Sequence, residues 1–134
     1  MNLEQQQVAI ACAKGALDNT LTFPEIVGRL TEAGVERYHA DYCRAEITYY
    51  HPSGESQVVA TPHDTHPIAA DFSAPAVAEA VRQSQRGEHS YRDFLRKTAA
   101  AGCVGYFVQI AGRRVIYFGR NGESHTEWFH GAQP

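Results

Sequence analysis

The residues whose types could do chemistry fall in three places. His39, Asp41, Arg44 and Glu46 crowd one short stretch. An imidazole, two carboxylates and a guanidinium there could hold a polar ligand or pass a proton. His125-x-Glu127-x-x-His130 lies near the C-terminus. If that segment is a strand, 125 and 127 share a face, so His125 and Glu127 suit an acid–base pair or two metal co-ligands. His63-x-x-His66 occupies a proline-containing stretch. Each set also has a plain structural use. The histidine spacings match no zinc signature, so no metal site is expected, and an Asp–Arg–Glu trio at a turn makes a rim salt bridge.

Thiol chemistry would need a thiolate beside a base. Cys103 follows Gly102 at a helix end, where the dipole disfavours a thiolate, and it reads as a small core residue. The pair Arg113-Arg114 could take an anion, but without a glycine-rich phosphate loop it reads as a solvated strand face.

One feature of the chain sorts these candidates. Residues 22–56 and 90–124 align without a gap at an offset of 68, with identities Ala33/Ala101, Gly34/Gly102, Tyr38/Tyr106, Tyr49/Tyr117, Gly54/Gly122, Glu55/Glu123 and Ser56/Ser124. Positions that agree across the copies are explained by shared structure. The polar positions that disagree are His39 (Phe107), Asp41 (Gln109), Arg44 (Gly112), Glu46 (Arg114), His51 (Gly119) and His125 (Gln57). A single functional site should draw on these. The charge also differs: residues 1–67 hold 9 acids and 4 bases, whereas residues 68–134 hold 6 acids and 8 bases. Glu46 and Arg114, equivalent and opposite in sign, are expected near the pseudo-axis as a pair.

The elements that must position these residues follow from periodicity. Residues 3–17 carry a helical stripe. Thr22-x-x-Glu25 with Pro24 is a capping-box start, Ile26, Val27 and Leu30 face inward, and Gly34 closes the helix. Period-two alternation then marks strands over 36–42 and 46–51, and Pro52-Ser53-Gly54 turns into a third near 55–60. The second copy repeats the order. Ser73 with Pro75 opens a helix ending at Gly87, Ser90-x-x-Asp93 caps the next, and strands follow at 104–110, 113–118 and 123–129. Ala111-Gly112 and Asn121-Gly122 are hairpin turns. The expected fold is a single α+β domain of two ααβββ repeats, about 3–60 and 72–129, joined by an irregular linker at 61–71. An antiparallel sheet with helices on one face and a pseudo-twofold axis closes it.

Composition bounds the class. A chain of 134 residues with 43% hydrophobic content can bury a core of its own. No apolar run approaches the roughly 20 residues of a membrane span. The N-terminal MNLEQQQVAIACAKG lacks a signal-peptide pattern, so a cytoplasmic setting is expected, with its three cysteines reduced. The net charge of −3 gives no nucleic-acid footprint.

GVERYHADYCRAEITYY (34–50) with AAGCVGYFVQIAGRRVIYFGRNGESHTE (100–127) resembles the YbcV-like family of small bacterial proteins of unknown function, often labelled phage envelope protein. The resemblance spans nearly the whole chain and carries over no catalytic residues. Three functional expectations follow. The first is a non-enzymatic binding or interaction module without cofactor, pairing as a homodimer through exposed strand edges. The second is a small enzyme or ligand-binding protein using Asp41, Arg44 and Glu46 with His39 or His125. The third, a phage or prophage accessory protein, is what the resemblance alone implies.

Overall fold

A computed structural model describes residues 1–132. The helices are α1 (Leu3–Leu17), α2 (Phe23–Glu32), α3 (Ala74–Gln85) and α4 (Tyr91–Ala100). The strands are β1 (Arg37–Asp41), β2 (Glu46–Tyr50), β3 (Ser56–Ala60), β4 (Cys103–Gln109), β5 (Arg114–Gly119) and β6 (Ser124–Trp128). The α+β expectation holds, with strand boundaries within one or two residues of those the periodicity suggests. Each start has a local cause. Asn2 with Gln5, Thr22 with Glu25 and Ser90 with Asp93 form capping boxes at α1, α2 and α4. The α1 box was not read from the sequence. Each box satisfies orphan amide donors and is worth about 1 kcal/mol.

All six strands form one antiparallel sheet in the order β3-β2-β1-β4-β5-β6. The central pairing joins the two halves, β1 to β4, with Arg37 opposite Gln109, His39 opposite Phe107 and Asp41 opposite Gly105. Under the offset of 68, this register maps onto itself, with His39 and Phe107 as mutual equivalents at its centre. The pairing therefore has a twofold relation running through that residue pair.

Both internal hairpins turn where expected, at 42–45 and 110–113, and place their left-handed residue alike. Glycine at 112 suggests itself as the left-handed turn residue, yet that conformation belongs to Arg113 (φ 58°), and to Ala45 (φ 51°) at the equivalent position. The turn places its left-handed position just before the second strand, so it falls on whatever residue stands there.

Alternation along the strands sends one set of side chains toward the helices. Tyr38, Ala40, Ile47, Tyr49, Tyr106, Val108, Val115 and Tyr117 are buried there, beneath Ile26, Leu30, Val77, Phe94 and Leu95. Val27, expected inward, is only half-buried. Burying a side chain of this size stabilises by roughly 1.5–3 kcal/mol, so this layer supplies most of the driving force. Its few polar atoms find partners: Tyr42 Oη meets Thr98 Oγ1 at 2.8 Å and Tyr91 Oη meets Tyr106 Oη at 2.7 Å.

The linker has no regular secondary structure but is tied down. The amides of Ala69 and Ser73 donate to the carbonyls of Ala99 and Ala101. This contact separates two equivalent glycines. Both have positive φ, Gly34 at 81° and Gly102 at 93°. A Cβ at 34 would meet only ordinary contacts, the nearest being Gln5 Nε2 at 3.6 Å, whereas one at 102 would strike the Asp71 carbonyl and the Phe72 backbone. Gly34→Ala should therefore cost about 1 kcal/mol in urea unfolding, from the φ penalty alone. Gly102→Ala should cost at least about 3 kcal/mol, because the linker must also move. Equal costs would show that the linker does not press on this turn.

Candidate functional site

The sheet has a second face, and its register lays it out in three rows across the strands. The first row reads Ser56, Tyr50, Arg37, Gln109, Arg114, Trp128. The middle row reads Val58, Thr48, His39, Phe107, Ile116, Thr126. The third reads Ala60, Glu46, Asp41, Gly105, Phe118, Ser124. Apart from Gly105, which has no side chain, none of these residues is buried, while the alternating positions facing the helices on the four inner strands are. No helix packs on this face; α1 lies by β3, α3 by β6 and α4 by β4 on the other side.

The open face is organised by stacking. His39 lies flat on Phe107 with ring centroids 4.4 Å apart. Phe107 meets Phe118 edge-on at 6.2 Å. The Arg37 guanidinium sits 4.0 Å over the Tyr50 ring, and that of Arg114 lies 5.0 Å over Trp128. Cation–π pairs of this kind are worth about 0.5–1 kcal/mol when exposed and 2 or more when desolvated. Arg114 Nε is shielded from solvent and has no acceptor within the described residues. Charge is polarised along the strands: Arg37 and Arg114 stand in the first row, Asp41 and Glu46 in the third.

Of the sequence-derived candidates, His39, Asp41 and Glu46 share this face, with Arg44 on the turn beside them. Asp41 Oδ1 accepts from the amides of Cys43 and Arg44 at 3.0 and 3.2 Å, shaping the turn. Arg44 Nε reaches Glu46 Oε1 at 2.7 Å, with the Arg44 side chain 70% exposed. That is a solvated rim ion pair, of a kind that adds little to stability. His39 is held below the ordinary imidazole range chiefly by burial, with the Asp41 charge opposing.

His125 and Glu127 stand on the opposite face, toward α3. Their side chains meet, Nε2 to Oε2, at 2.5 Å, and Arg82 Nη1 of α3 holds the other Glu127 oxygen at 2.9 Å. They are therefore separated by the whole sheet from His39, Asp41 and Glu46. The expected pairing of Glu46 with Arg114 is also absent. Glu46 aligns with Asp41 at one end of the strands and Arg114 with Gln109 and Arg37 at the other, on β2 and β5, with two strands between. A twofold at the His39–Phe107 centre carries equivalents to opposite corners, which the sequence offset alone did not reveal.

The remaining candidates stand apart. His51 is buried near Gly34. His63 and His66 border a small crevice with Tyr42, Leu95 and Ala99. Among the described residues, no group of three or more His, Cys, Asp or Glu side chains is placed to hold a metal ion. An open cleft of about 730 Å³ lies between α1 and α2, lined by Gln5, Val8, Arg29 and Glu32 among others, and holds none of the candidate residues. The stacked arrangement of Arg37 on Tyr50 and Arg114 on Trp128 escaped sequence reading. Its only trace is the alternation itself, which leaves the aromatic and basic residues of β2, β5 and β6 on the face away from the core.

Two expectations follow. Cys12 and Cys103 are buried and burial pushes both thiols up, while Cys43 is exposed. A chromogenic thiol reagent should therefore find one fast cysteine in the native protein and three after denaturation. The second concerns acid. His39 has a folded pKa below its unfolded value of about 6.5, so the unfolded chain takes up the proton first as pH falls. The neutral ring's stability is complete above about pH 7 and is lost on descent through 6.5 to the folded pKa. His89 is likewise held low by burial and Lys97, and adds in the same direction. His39→Gln should lose less stability than the parent between pH 7.5 and pH 5 in urea titrations; equal losses would place the His39 ring in free solvent.

Comparison with known proteins comes to a consistent result. Residues 12–127 match the family described as "Protein of unknown function (DUF1398)". Uncharacterized protein Rv2012 of Mycobacterium tuberculosis (strain ATCC 25618 / H37Rv) is 30% identical over 63 residues, 47% of this chain and 38% of the relative. Uncharacterized protein Mb2035 of Mycobacterium bovis (strain ATCC BAA-935 / AF2122/97) matches to the same extent. The match thus spans well under half the length of these curated relatives. With the family match running from α1 into β6, the chain belongs to the DUF1398 family of proteins of unknown function.

Proposed function

We propose that this protein is a non-enzymatic binding module that receives a protein partner on its open sheet face. The observation that supports it most is the contrast between the two faces. Helices cover one, and the other leaves Tyr50, Phe107, Ile116, Phe118 and Trp128 partly exposed together. Clustered apolar and aromatic groups of this kind mark interaction surfaces rather than ordinary solvated ones. The stacked arginines gain strength when water is excluded.

The alternative of a small enzyme is less well supported. It would gather Asp41, Arg44, Glu46 and either His39 or His125 in a pocket. Arg44 and Glu46 instead pair at an exposed rim, and His125 with Glu127 lies across the sheet. A strand of nucleic acid could also stack on aromatic and arginine side chains, but the carboxylates of Asp41 and Glu46 would repel its phosphates. The matching order of elements and the self-symmetric β1–β4 register support an origin by internal duplication. A cytoplasmic setting fits the three free cysteines, and a phage or prophage accessory role rests on the YbcV-like resemblance.

Photo-crosslinking tests the assignment. Benzoylphenylalanine placed at Thr48, on the open face, should give adducts in the native cell, whereas the same probe at exposed Glu79 of α3 should not. Equal yields from both sites, or none from Thr48, would refute it.

A further inference from the structure

The open face is polarised in a way that selects its occupant. Its first row carries Arg37 and Arg114 as charged groups, and its third carries Asp41 and Glu46. These rows are four residues apart along β1, about 13 Å, so the two signs form separate stripes across the strands. Arg44 offsets part of the acidic stripe through Glu46, and Glu36 lies 3.4 Å from Arg37. The ends remain of opposite sign, since Arg114 and Asp41 have no salt-bridge partner among the described residues.

We infer that the occupant is a second copy of this chain, docked face to face about a twofold axis running across the strands along the Thr48–His39–Phe107–Ile116 row. This rests on the reading of the open face as the binding surface. A rotation about that axis reverses the strand direction and keeps each strand position. The basic stripe of one copy then covers the acidic stripe of the other, and Arg37 faces Asp41 of the second copy twice by symmetry. A twofold axis along the strands would instead lay like stripes on one another. The offset of about 30° usual between packed sheets moves Arg37 by only a few ångströms, still over Asp41 or Glu46. The middle row, apolar except for Thr48, Thr126 and His39, meets itself and forms the desolvated centre.

Size sets the expected strength. Five strand spacings by five residues give a footprint of roughly 24 by 17 Å, or about 400 Å² per copy before side-chain relief is counted. That lies at the low end of specific interfaces, so dissociation constants of roughly 10–100 µM are expected.

Sedimentation equilibrium across 5–200 µM tests the inference. The parent chain should reach a dimer within that range. Arg37→Glu alone should weaken it at least tenfold, because like charges then face each other at both Arg37–Asp41 contacts, and Glu46→Arg alone should weaken it severalfold, because it removes an acid that stands beside the facing Arg37. An equimolar mixture of the two variants should dimerise severalfold more tightly than Arg37→Glu alone, since one Arg37–Asp41 contact is restored and the arginine introduced at 46 stands beside the glutamate introduced at 37. Glu46→Arg leaves the Asp41 turn intact, and circular dichroism melts check that each variant folds. A monomeric parent at 200 µM would overturn the inference, as would a dimer indifferent to the reversals, which would place the contact on the β3 or β6 edge. The crosslinking at Thr48 separates this failure from failure of the open-face reading. Adducts of another mass would keep that reading and exclude the second copy.

Discussion

The antiparallel pairing of β1 with β4 is the contact on which the rest of the molecule depends. Among the described residues it is the only strand pairing that joins the two halves, and the others are local hairpins within one half. Without it each half is a three-stranded sheet with two helices, of a size at which the buried core gives only marginal stability. With it, Tyr38 and Ala40 lie beside Val108 and Tyr106, and one continuous layer of tyrosines runs beneath the helices. Gly105 sits at this seam because a side chain there would strike the Ala40 carbonyl and crowd His39 Nε2 at 3.4 Å. The first half contributes Arg37 at the equivalent position, so the two halves differ where their strands meet.

One-sided cover follows from having two helices per half. They suffice for one face of a six-stranded sheet and no more, so the alternation that buries four tyrosines inward turns another set of aromatics outward. The outward set is not left loose: each arginine of the first row lies on a ring, and His39 lies on Phe107. Preorganised stacking lowers the entropy lost when a partner covers the face.

The fold was largely legible because its signals are local. Capping boxes at Thr22 and Ser90, glycines at helix ends and period-two strands each act within a few residues, and the same order of elements occurs in both halves. Less was legible at the level of the site. The repeat rightly set aside the glycines and tyrosines, and three of its unmatched polar residues, His39, Asp41 and Glu46, do share a face. His125 does not, because parity places it with Tyr117 and the helices. That depends on which face the helices choose, a long-range fact absent from any single strand. The Arg114–Trp128 stack depends on the β5–β6 register for the same reason. The left-handed residues Ala45 and Arg113 were not legible, because composition names residues that tolerate such a turn, not the position where the hairpin needs one.

The divergence between the halves carries physical consequence beyond its role as a marker. Suppose both halves carried the first half's residues. Each end of the open face would then hold two acids and one base, since Asp41 and Glu46 would recur at 109 and 114 and Arg37 at 105. Two such faces would repel in either twofold arrangement. Doubling the second half would leave one arginine at each end, again of like sign. Only the mixed pair, with Arg37 and Arg114 in one row and Asp41 and Glu46 in the other, makes a face complementary to itself in a single orientation. Like charges opposed across an interface cost several kcal/mol, so the same pattern that permits one arrangement excludes the other. Symmetry of the backbone supplies a flat, regular platform, and asymmetry of four charged side chains gives it a direction.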